Sequence, residues 1–344
     1  MSWTIHHGDC LDVMRGMADN SFDAIVTDPP YFKVKGEAWD RQWDKPTQFL
    51  AWLDTIAEQW QRLLKPNGSL YCFASSKMAA RVECLIAERF RVLNRITWQK
   101  DAGWAKRQCK EELRIFFPAS EALVFAEHHG ADNIAKGVAG YVNKCDELRG
   151  FVFEPLRAYL DGERQRAGLT VRQVAEAFQQ RSGSRTVTGM AGHWFGQVQW
   201  ALPTRENHDW LRELFHLRGN WEENAREGFL RREYEDLRRE YEDLRRPFSV
   251  TADVPYTDVW TFPTVQHYKG KHPCEKPLAM LEHIIRASTR PGAVVLDCFA
   301  GSGATGEACL NLGRQFVGIE KDATYAGQAR RRLQVASTPA GTLF

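Results

Sequence analysis

Apolar and polar positions along the chain switch between two periods. Short, mostly apolar runs closed by polar or turn residues (TIHHG, DAIVTD, SLYCFAS, RVLNRITWQ and ALVFAEH) predict strands within the first 128 residues. Between them, QFLAWLDTIAEQWQRLL and KMAARVECLIAERF repeat apolar residues at three- and four-residue steps, which predicts amphipathic helices. Pro66-Asn67-Gly68 is expected to stop the first of these. Strands alternating with helices predict a parallel sheet covered on both faces. The alternation fails from about 130 to 250, where arginine, glutamate and helical signals dominate. It returns with KPLAMLEHIIRAST as helix, AVVLDCFAGSG as a buried strand entering a glycine turn, and ATGEACLNLG as helix. RQFVGIEKD then reads as strand, and a last helix runs through YAGQARRRLQV. The pattern thus predicts one α/β sheet assembled from residues 1–130 and 251–344, with a helical insertion over 131–250.

The insertion contains a perfect tandem, LRREYED-LRREYED, followed by LRRPF. Leu230, Tyr234, Leu237, Tyr241 and Leu244 step by four and three within a helix predicted over 229–246. Six arginines and six acidic residues cancel between 230 and 246. Two readings stand side by side: a solvated helix resting its Leu/Tyr stripe on the body, or a self-pairing coiled coil. Pro247 ends the helix in either case.

Composition adds mainly exclusions. With 43% hydrophobic and 26% charged residues in 344, disordered, collagen-like and fibrous accounts fall away. No window approaches a membrane span, and the opening MSWTIHHGDC has no apolar stretch behind a basic one, so a cytoplasmic protein is expected. Eight cysteines form no CxxC pair and sit partly in apolar runs, which suits reduced, packed thiols and no metal site. The net charge of +2 announces no nucleic acid, so any DNA-binding surface must come from local clustering.

The strand over 23–27 runs straight into Asp28-Pro29-Pro30-Tyr31. Two prolines fix φ and can continue neither a helix nor a central strand, so the chain leaves the sheet as a stiff loop at a strand's carboxyl end. Open α/β sheets bind ligands there. The loop offers a carboxylate, prolyl carbonyls without competing N–H groups, and an aromatic face. An exocyclic amine on a planar base asks for this set: Asp28 and the Pro29 carbonyl accept its hydrogens, and Tyr31 stacks on the ring. A Pro-rich turn capped by Asp is the plainer alternative for the same residues.

A second loop, Asp297-Cys298-Phe299-Ala300-Gly301-Ser302-Gly303, follows the strand over 293–296. Its glycines permit close approach of backbone to a ligand. Glu320 ends the next strand 19 positions after Gly301, near the spacing at which an acidic side chain holds a ribose diol. The third glycine of the dinucleotide fingerprint is missing, which points to a nucleoside without a pyrophosphate. S-adenosylmethionine is such a nucleoside, with Asp297 placed for its amino-acid end and a lysine for its carboxylate.

Together, DPPY near the start, FAGSG near the end and His272-Pro273-Cys274-Glu275-Lys276-Pro277 between them resemble the amino-methylating DNA methyltransferases. The order, catalytic loop first and cofactor loop last, resembles the permuted β group of that family over about 1–128 and 255–336, including Gly8-Asp9-Cys10. The resemblance implies a Rossmann-like class I methyltransferase sheet with helices on both faces and a helical target-recognition insertion. It implies a bacterial or phage-encoded enzyme, one of a restriction-modification system among the possibilities, acting on double-stranded DNA and often dimeric. By it, Asp9 contacts the cofactor's adenine, Lys276 its methionine carboxylate, and Phe299 with the backbone of Ala300, Gly301, Ser302 and Gly303 wraps it. Asp in first position of DPPY goes mostly with adenine N6 in the family, cytosine N4 being the alternative. Thr-Gln is usual where this chain has Cys274-Glu275, which puts any contact from position 275 in question. A base inside a duplex cannot reach such a loop, so base flipping is expected.

The stretch 151–218 resembles a repressor-type helix-turn-helix: a helix, a short helix after Thr170, a presented helix around 190–199, then a supporting helix after Pro203. Nine arginines against six acidic residues over 156–218 leave a local +3. His193, Gln197 and Gln199 are the candidates for base edges, and Arg181 and Arg185 for phosphates. Lys100, Lys106 and Arg107 lie in a basic loop between two predicted strands and either grip phosphate or are merely solvated. A helix-turn-helix regulator without catalysis would use 151–218 but leave DPPY and FAGSG idle. A nicotinamide dehydrogenase would need the three-glycine fingerprint after the first strand, where it is absent. RNA and protein-glutamine methyltransferases, by resemblance, place the glycine loop before the proline loop.

Overall fold

The computed structural model describes residues 2–100, 114, 116, 118–128, 153–187, 189–197, 200–219, 228–249, 257–268 and 271–338. The chain divides into two compact units, one formed by Met1–His128 with Pro247–Phe344, the other by His129–Arg246.

The first unit is built on a sheet of eight strands: β1 (Trp3–His7), β2 (Phe22–Thr27), β3 (Leu64–Ser75), β4 (Arg91–Gln99), β5 (Ser120–Glu127), β6 (Val259–Thr261), β7 (Val294–Asp297) and β8 (Gln315–Glu320). They lie in the order β1-β8-β7-β2-β3-β5-β4-β6. Strands β1, β8, β7, β2 and β3 run parallel, but β5 is antiparallel to both β3 and β4. The sheet is therefore mixed, not wholly parallel as the alternation predicts. No helix is described between β4 and β5, so that pair departs from the βαβ rule. The short β6 extends the edge beside β4 and carries no periodic signal of its own.

Successive strand residues face opposite cores, which is why the strands read as continuous apolar runs rather than alternating ones. Ala24, Val26, Tyr71, Phe73 and Val295 join one core with helices α9 (Leu278–Ser288), α10 (Ala304–Asn311) and α11 (Ala323–Ser337). Ile25, Leu70, Cys72, Ala74 and Leu296 join the other with α1 (Cys10–Arg15), α2 (Pro46–Leu63) and α3 (Ala79–Ala87). Helix α2 ends at Leu63, before Pro66-Asn67-Gly68, and that tripeptide lies inside β3 instead of closing the helix. Leu64 already has extended backbone and pairs with Phe22, so strand pairing overrides the turn signal of the tripeptide. Cys10, Cys72, Cys298 and Cys309 are buried free thiols.

The second unit is helical: α4 (Glu154–Arg166), α5 (Val171–Ser182), α6 (Met190–Phe195), α7 (Arg205–Arg218) and α8 (Tyr234–Leu244). Thr170 caps α5 in a reciprocal box, its Oγ1 accepting from Gln173 N–H while Gln173 accepts from Thr170 N–H. Helix α6 is shorter than the expected 190–199, because Gly196 leaves the helix in extended conformation. Trp194 and Phe195 are buried in the unit's core, with Trp194 edge-on to Phe178. Helix α8 begins at Tyr234, later than the expected 229–246, and its Leu/Tyr stripe, with Leu230 just before it, is also consumed there. Leu230 and Leu237 are buried, and Tyr241 stacks on Phe153 at 4.8 Å. The stripe rests on its own unit and is not a coiled-coil seam, so the heptads lend no support to dimerisation.

Among the described residues no helix is long and apolar enough to cross a membrane. Nor does any group of three His, Cys, Asp or Glu stand ready to hold a metal ion among them.

Candidate active site

Strands β2 and β7 are hydrogen-bonded parallel neighbours, with Ala24 opposite Val295 and Ile25 opposite Leu296. The loops that leave their carboxyl ends, at Asp28 and at Cys298, therefore start side by side. From β2 the chain proceeds to β3 on one side, and from β7 to β8 on the other. The pair is thus a topological switch point, where open α/β sheets form their crevice. Thr27 of β2 donates to Asp297 of β7 (3.1 Å), tying the two strand ends together.

A cavity of about 390 Å³ opens there. Asp28, Pro29, Pro30 and Tyr31 line it, as do Asp9, Lys276, Asp297, Phe299, Ala300, Gly301, Ser302 and Glu320. Of the expected site residues in the two loops, only Gly303 stands behind the wall. Its φ of 80° starts α10, and a Cβ there would come within 3.0 Å of Ala329 on α11. Gly301, at φ 49°, leaves its backbone bare to the cavity, and a Cβ would meet the His272 ring at 3.3 Å.

The DPPY loop is held from beyond itself. Asp40, fully buried, accepts from the N–H groups of Tyr31, Val34 and Lys35, each at 2.6 Å. Phe32 and Lys33 between them have φ of 61° and 60°, a left-handed conformation that costs about 1–2 kcal/mol for a side-chain-bearing residue. Three N–H bonds to one buried carboxylate offset that strain. The same loop brings Trp39 onto the ring of His272 (centroids 6.2 Å apart), which in turn meets Tyr325 edge-on at 4.5 Å. Burial and the nearby Lys276 push His272 down to about 4, so it is uncharged at neutral pH.

A buried charge cluster lies at the loop's root. Lys276 donates to Asp28 Oδ2, lies 3.4 Å from Glu121 and sits over the rings of Tyr31 and Phe73. Glu121, at the start of β5, accepts from the Tyr31 hydroxyl (2.8 Å) and pairs with Lys100. Burial pushes Asp28 above the ordinary carboxylate range, with Lys276 opposing. For Glu121 burial acts the same way, but Lys276 and Lys100 together outweigh it and hold the group low. Lys276 stays protonated, because Asp28 and Glu121 overcome its burial. Asp28 Oδ1 is buried and has no hydrogen-bond partner among the described residues. A buried acceptor left open in this way is the mark of a group that awaits a donor.

The opposite wall is set for a different ligand. Glu320 accepts from Gly301 N–H through Oε2 and from Asp322 N–H through Oε1, both at 2.8 Å. Each oxygen keeps a second lone pair. Asp9 caps α1 through Leu11 N–H and meets Lys321 at 3.1 Å. Both oxygens of Asp297 are engaged, by Thr27 and Phe299 N–H on one side and Thr305 (2.7 Å) on the other. Burial lifts its pKa to about 6. Asp297 thus braces the loop while lining the cavity. Glu275 turns to Arg332 (2.9 Å) and to the Tyr268 hydroxyl, so position 275 anchors its segment to α11.

The residues expected at DNA are more scattered. Lys100, expected either to grip phosphate or to be solvated, points inward to Glu121 and over the Trp98 ring. Arg181 is taken by Glu206 and Asn207 and lies over Trp210. Arg185 and Gln197 are exposed and His193 is half-buried. Lys106, Arg107 and Gln199 lie outside the described residues. Asp40 and Glu121 escaped the sequence reading altogether. One is a lone acid in an aperiodic loop, and the other opens an apolar strand, where a charge ordinarily marks the strand's solvent end.

A family model described as DNA methylase matches residues 22–331. The chain belongs to that family of DNA methylases. The methylase is 25% identical over 342 residues to DNA adenine methyltransferase YhdJ of Escherichia coli K12, covering 97% of this chain and 83% of YhdJ. It is 24% identical over 350 residues to the type II methyltransferase M2.MboI of Moraxella bovis, covering 96% and 87%. Among solved structures, the M1.HpyAVI–SAM complex superposes with a TM-score of 0.51 at 19% identity, covering 96% of the methylase and 98% of that chain. The fold is thus that of class I methyltransferases.

Proposed function

We propose that this methylase transfers a methyl group from S-adenosylmethionine to the N6 amine of adenine at a specific site in duplex DNA. We place it in the permuted β group. The adjacency of β2 and β7 carries the reading: it opens the Asp28 and Gly301 loops into one cavity, where a buried carboxylate oxygen lacks a donor. The catalytic loop preceding the glycine loop along the chain supports the β group. Asp in first position supports adenine, as does the relative named DNA adenine methyltransferase YhdJ.

The donor set fits S-adenosylmethionine. Glu320 has lone pairs left for a ribose diol, Asp9 stands at the rim for the adenine amine, and Lys276 is the cation for the carboxylate. Phe299 and the bare backbone from Ala300 to Ser302 line the floor. When bound, S-adenosylmethionine supplies an electrophilic methyl on a sulfonium. The protein's own task is alignment, since an in-line displacement gains most from holding the reacting atoms near contact distance. Asp28 Oδ1 accepts one hydrogen of the target amine and the Pro29 carbonyl the other. This draws the nitrogen's lone pair out of conjugation and offsets the positive charge that develops on it. Pro30 keeps the loop stiff. Tyr31 stacks on the flipped base.

The helical unit reads the target. Helices α4 to α7 present Arg185, His193 and Gln197 to DNA, while Trp194 and Phe195 hold the unit's core. DNA from cells expressing the methylase, digested to nucleosides, is expected to contain N6-methyladenine at one sequence; N4-methylcytosine alone would overturn the choice of base. Exchange of residues 151–218 for a relative's segment is expected to move methylation to a new sequence. An unmoved sequence would assign the reading elsewhere.

A further inference from the structure

Glu121 does not line the cavity, yet it touches two residues that do, Tyr31 and Lys276. Its Oε2 accepts from the Tyr31 hydroxyl at 2.8 Å and lies 3.4 Å from Lys276 Nζ, and its Oε1 takes Lys100. The side chain is 13% exposed, between a lysine that is 6% exposed and one that is 20% exposed. In the sheet, β3 stands between β5 and β2, so this carboxylate reaches the catalytic loop from two strands away.

We propose that Glu121 is a positioning residue for methyl transfer, holding the Tyr31 hydroxyl and the Lys276 ammonium where they serve the site, with Lys100 as its counter-ion. The inference rests on the methylation reading above. Asp28, Glu121, Lys276 and Lys100 form a cluster whose charges cancel. Lys276 is shared between the two carboxylates, so the place of one sets the reach of the other. Tyr31 is fixed at both ends: its N–H by Asp40 and its hydroxyl by Glu121. A ring meant to stack on a base gains from such fixing, because its orientation is set before the base arrives. Lys100 is then a member of the cluster and not a clamp on phosphate.

The charge of Glu121 also reaches Asp28. Asp28 is faced by Lys276, Glu121 and Tyr31, and by Cys72, Cys274 and Asp297. Among these, Lys276 and, less strongly, Tyr31 lower its pKa and Glu121 raises it. Removing the negative charge at position 121 therefore makes Asp28 easier to ionise.

The test is single-turnover methylation of duplex DNA at saturating S-adenosylmethionine, followed across pH, in wild type and Glu121→Gln. The expected rate loss is about 10- to 100-fold, the size of a lost hydrogen bond to a charged group. The acid limb of the profile is expected to move to lower pH, a shift that a merely structural role would not give. Binding of S-adenosylhomocysteine, read by calorimetry, should weaken less than the rate falls. Glu121→Asp, which keeps the charge, should keep the acid limb in place. A Gln variant with wild-type rate, or an unmoved acid limb, overturns the proposal. A crystal structure of Glu121→Ala with the Tyr31 hydroxyl and Lys276 ammonium undisturbed overturns it too, whatever the chain does to DNA. A wild-type chain that methylates no DNA would instead bring down the reading on which it rests.

Discussion

Asp28→Ala is expected to slow methyl transfer by about 10²- to 10⁴-fold while cofactor affinity stays near that of the wild type. The separation follows from where each atom of the carboxylate points its bonds. Oδ2 is occupied by Lys276, and Oδ1 is buried and open. Neither oxygen bonds Glu320, Asp9 or the Gly301 backbone, the groups that fit the cofactor. Lys276 keeps a hold after the change, because Glu121 remains 3.4 Å away and the Cys274 carbonyl 3.3 Å away. Single-turnover rates at saturating S-adenosylmethionine, set beside calorimetric binding of S-adenosylhomocysteine, check both halves. Equal loss of rate and binding would make Asp28 a structural residue.

Asp28→Asn sharpens the test. The amide keeps the volume of the carboxylate but replaces one acceptor oxygen by a donor, so it cannot pair with Lys276 and receive the amine at once. Its rate is expected to fall nearly as far as that of the alanine variant. A wild-type rate in the Asn variant would mean that an acceptor at Oδ1 is enough and that the negative charge contributes nothing.

The two loops were legible because the chemistry they need cannot be written in other residues. Consecutive prolines force the chain out of β2, and Gly301 and Gly303 occupy positive φ where a side chain would strike His272 or Ala329. The nearness of those loops was not legible from pattern alone. It comes from the pairing of β2 with β7, strands about 270 residues apart in sequence, and no local period encodes that pairing. The antiparallel β5 was missed for the same reason. Its apolar run ALVFAEH reads alike in either direction, and only its register, Ser69 opposite Glu127 through Ser75 opposite Glu121, fixes the sense. That register also decides Glu121. An acid at the start of an apolar strand looks like a solvent-facing end until the antiparallel turn brings it under the DPPY loop. Asp40 escaped because its three bonds are to backbone N–H groups, which every residue has. The presented helix is shorter than the expected 190–199 because Gly196, in extended conformation, stops α6 at Phe195.

Lys276→Met is the change with the second largest expected effect, and it is the mirror image of Glu121→Gln. The lysine is 6% exposed and is shared by Asp28 and Glu121. Methionine fills a similar volume, packs equally well against the rings of Tyr31 and Phe73, and removes only the charge and its hydrogen bonds. Breaking a buried pair by removing one partner costs about 3–5 kcal/mol, which melting experiments should register as a clear destabilisation. The lost ammonium also withdraws the largest influence that lowers Asp28, so burial and Glu121, which both raise it, are opposed by Tyr31 alone among the groups that act on it most. A larger fraction of Asp28 is then protonated at neutral pH and cannot accept from the amine. The acid limb of the single-turnover profile should move to higher pH, opposite to its movement in Glu121→Gln, and the rate at neutral pH should fall by at least about 10²-fold. Cofactor affinity should fall as well, because the same ammonium is the one placed for the methionine carboxylate. Raising the pH separates the two effects: it restores the ionised Asp28 and hence part of the rate at saturating cofactor, but it cannot restore the affinity. A variant whose acid limb stays where the wild type has it would show that Lys276 is not the counter-ion of Asp28, and the charge cluster would lose its centre.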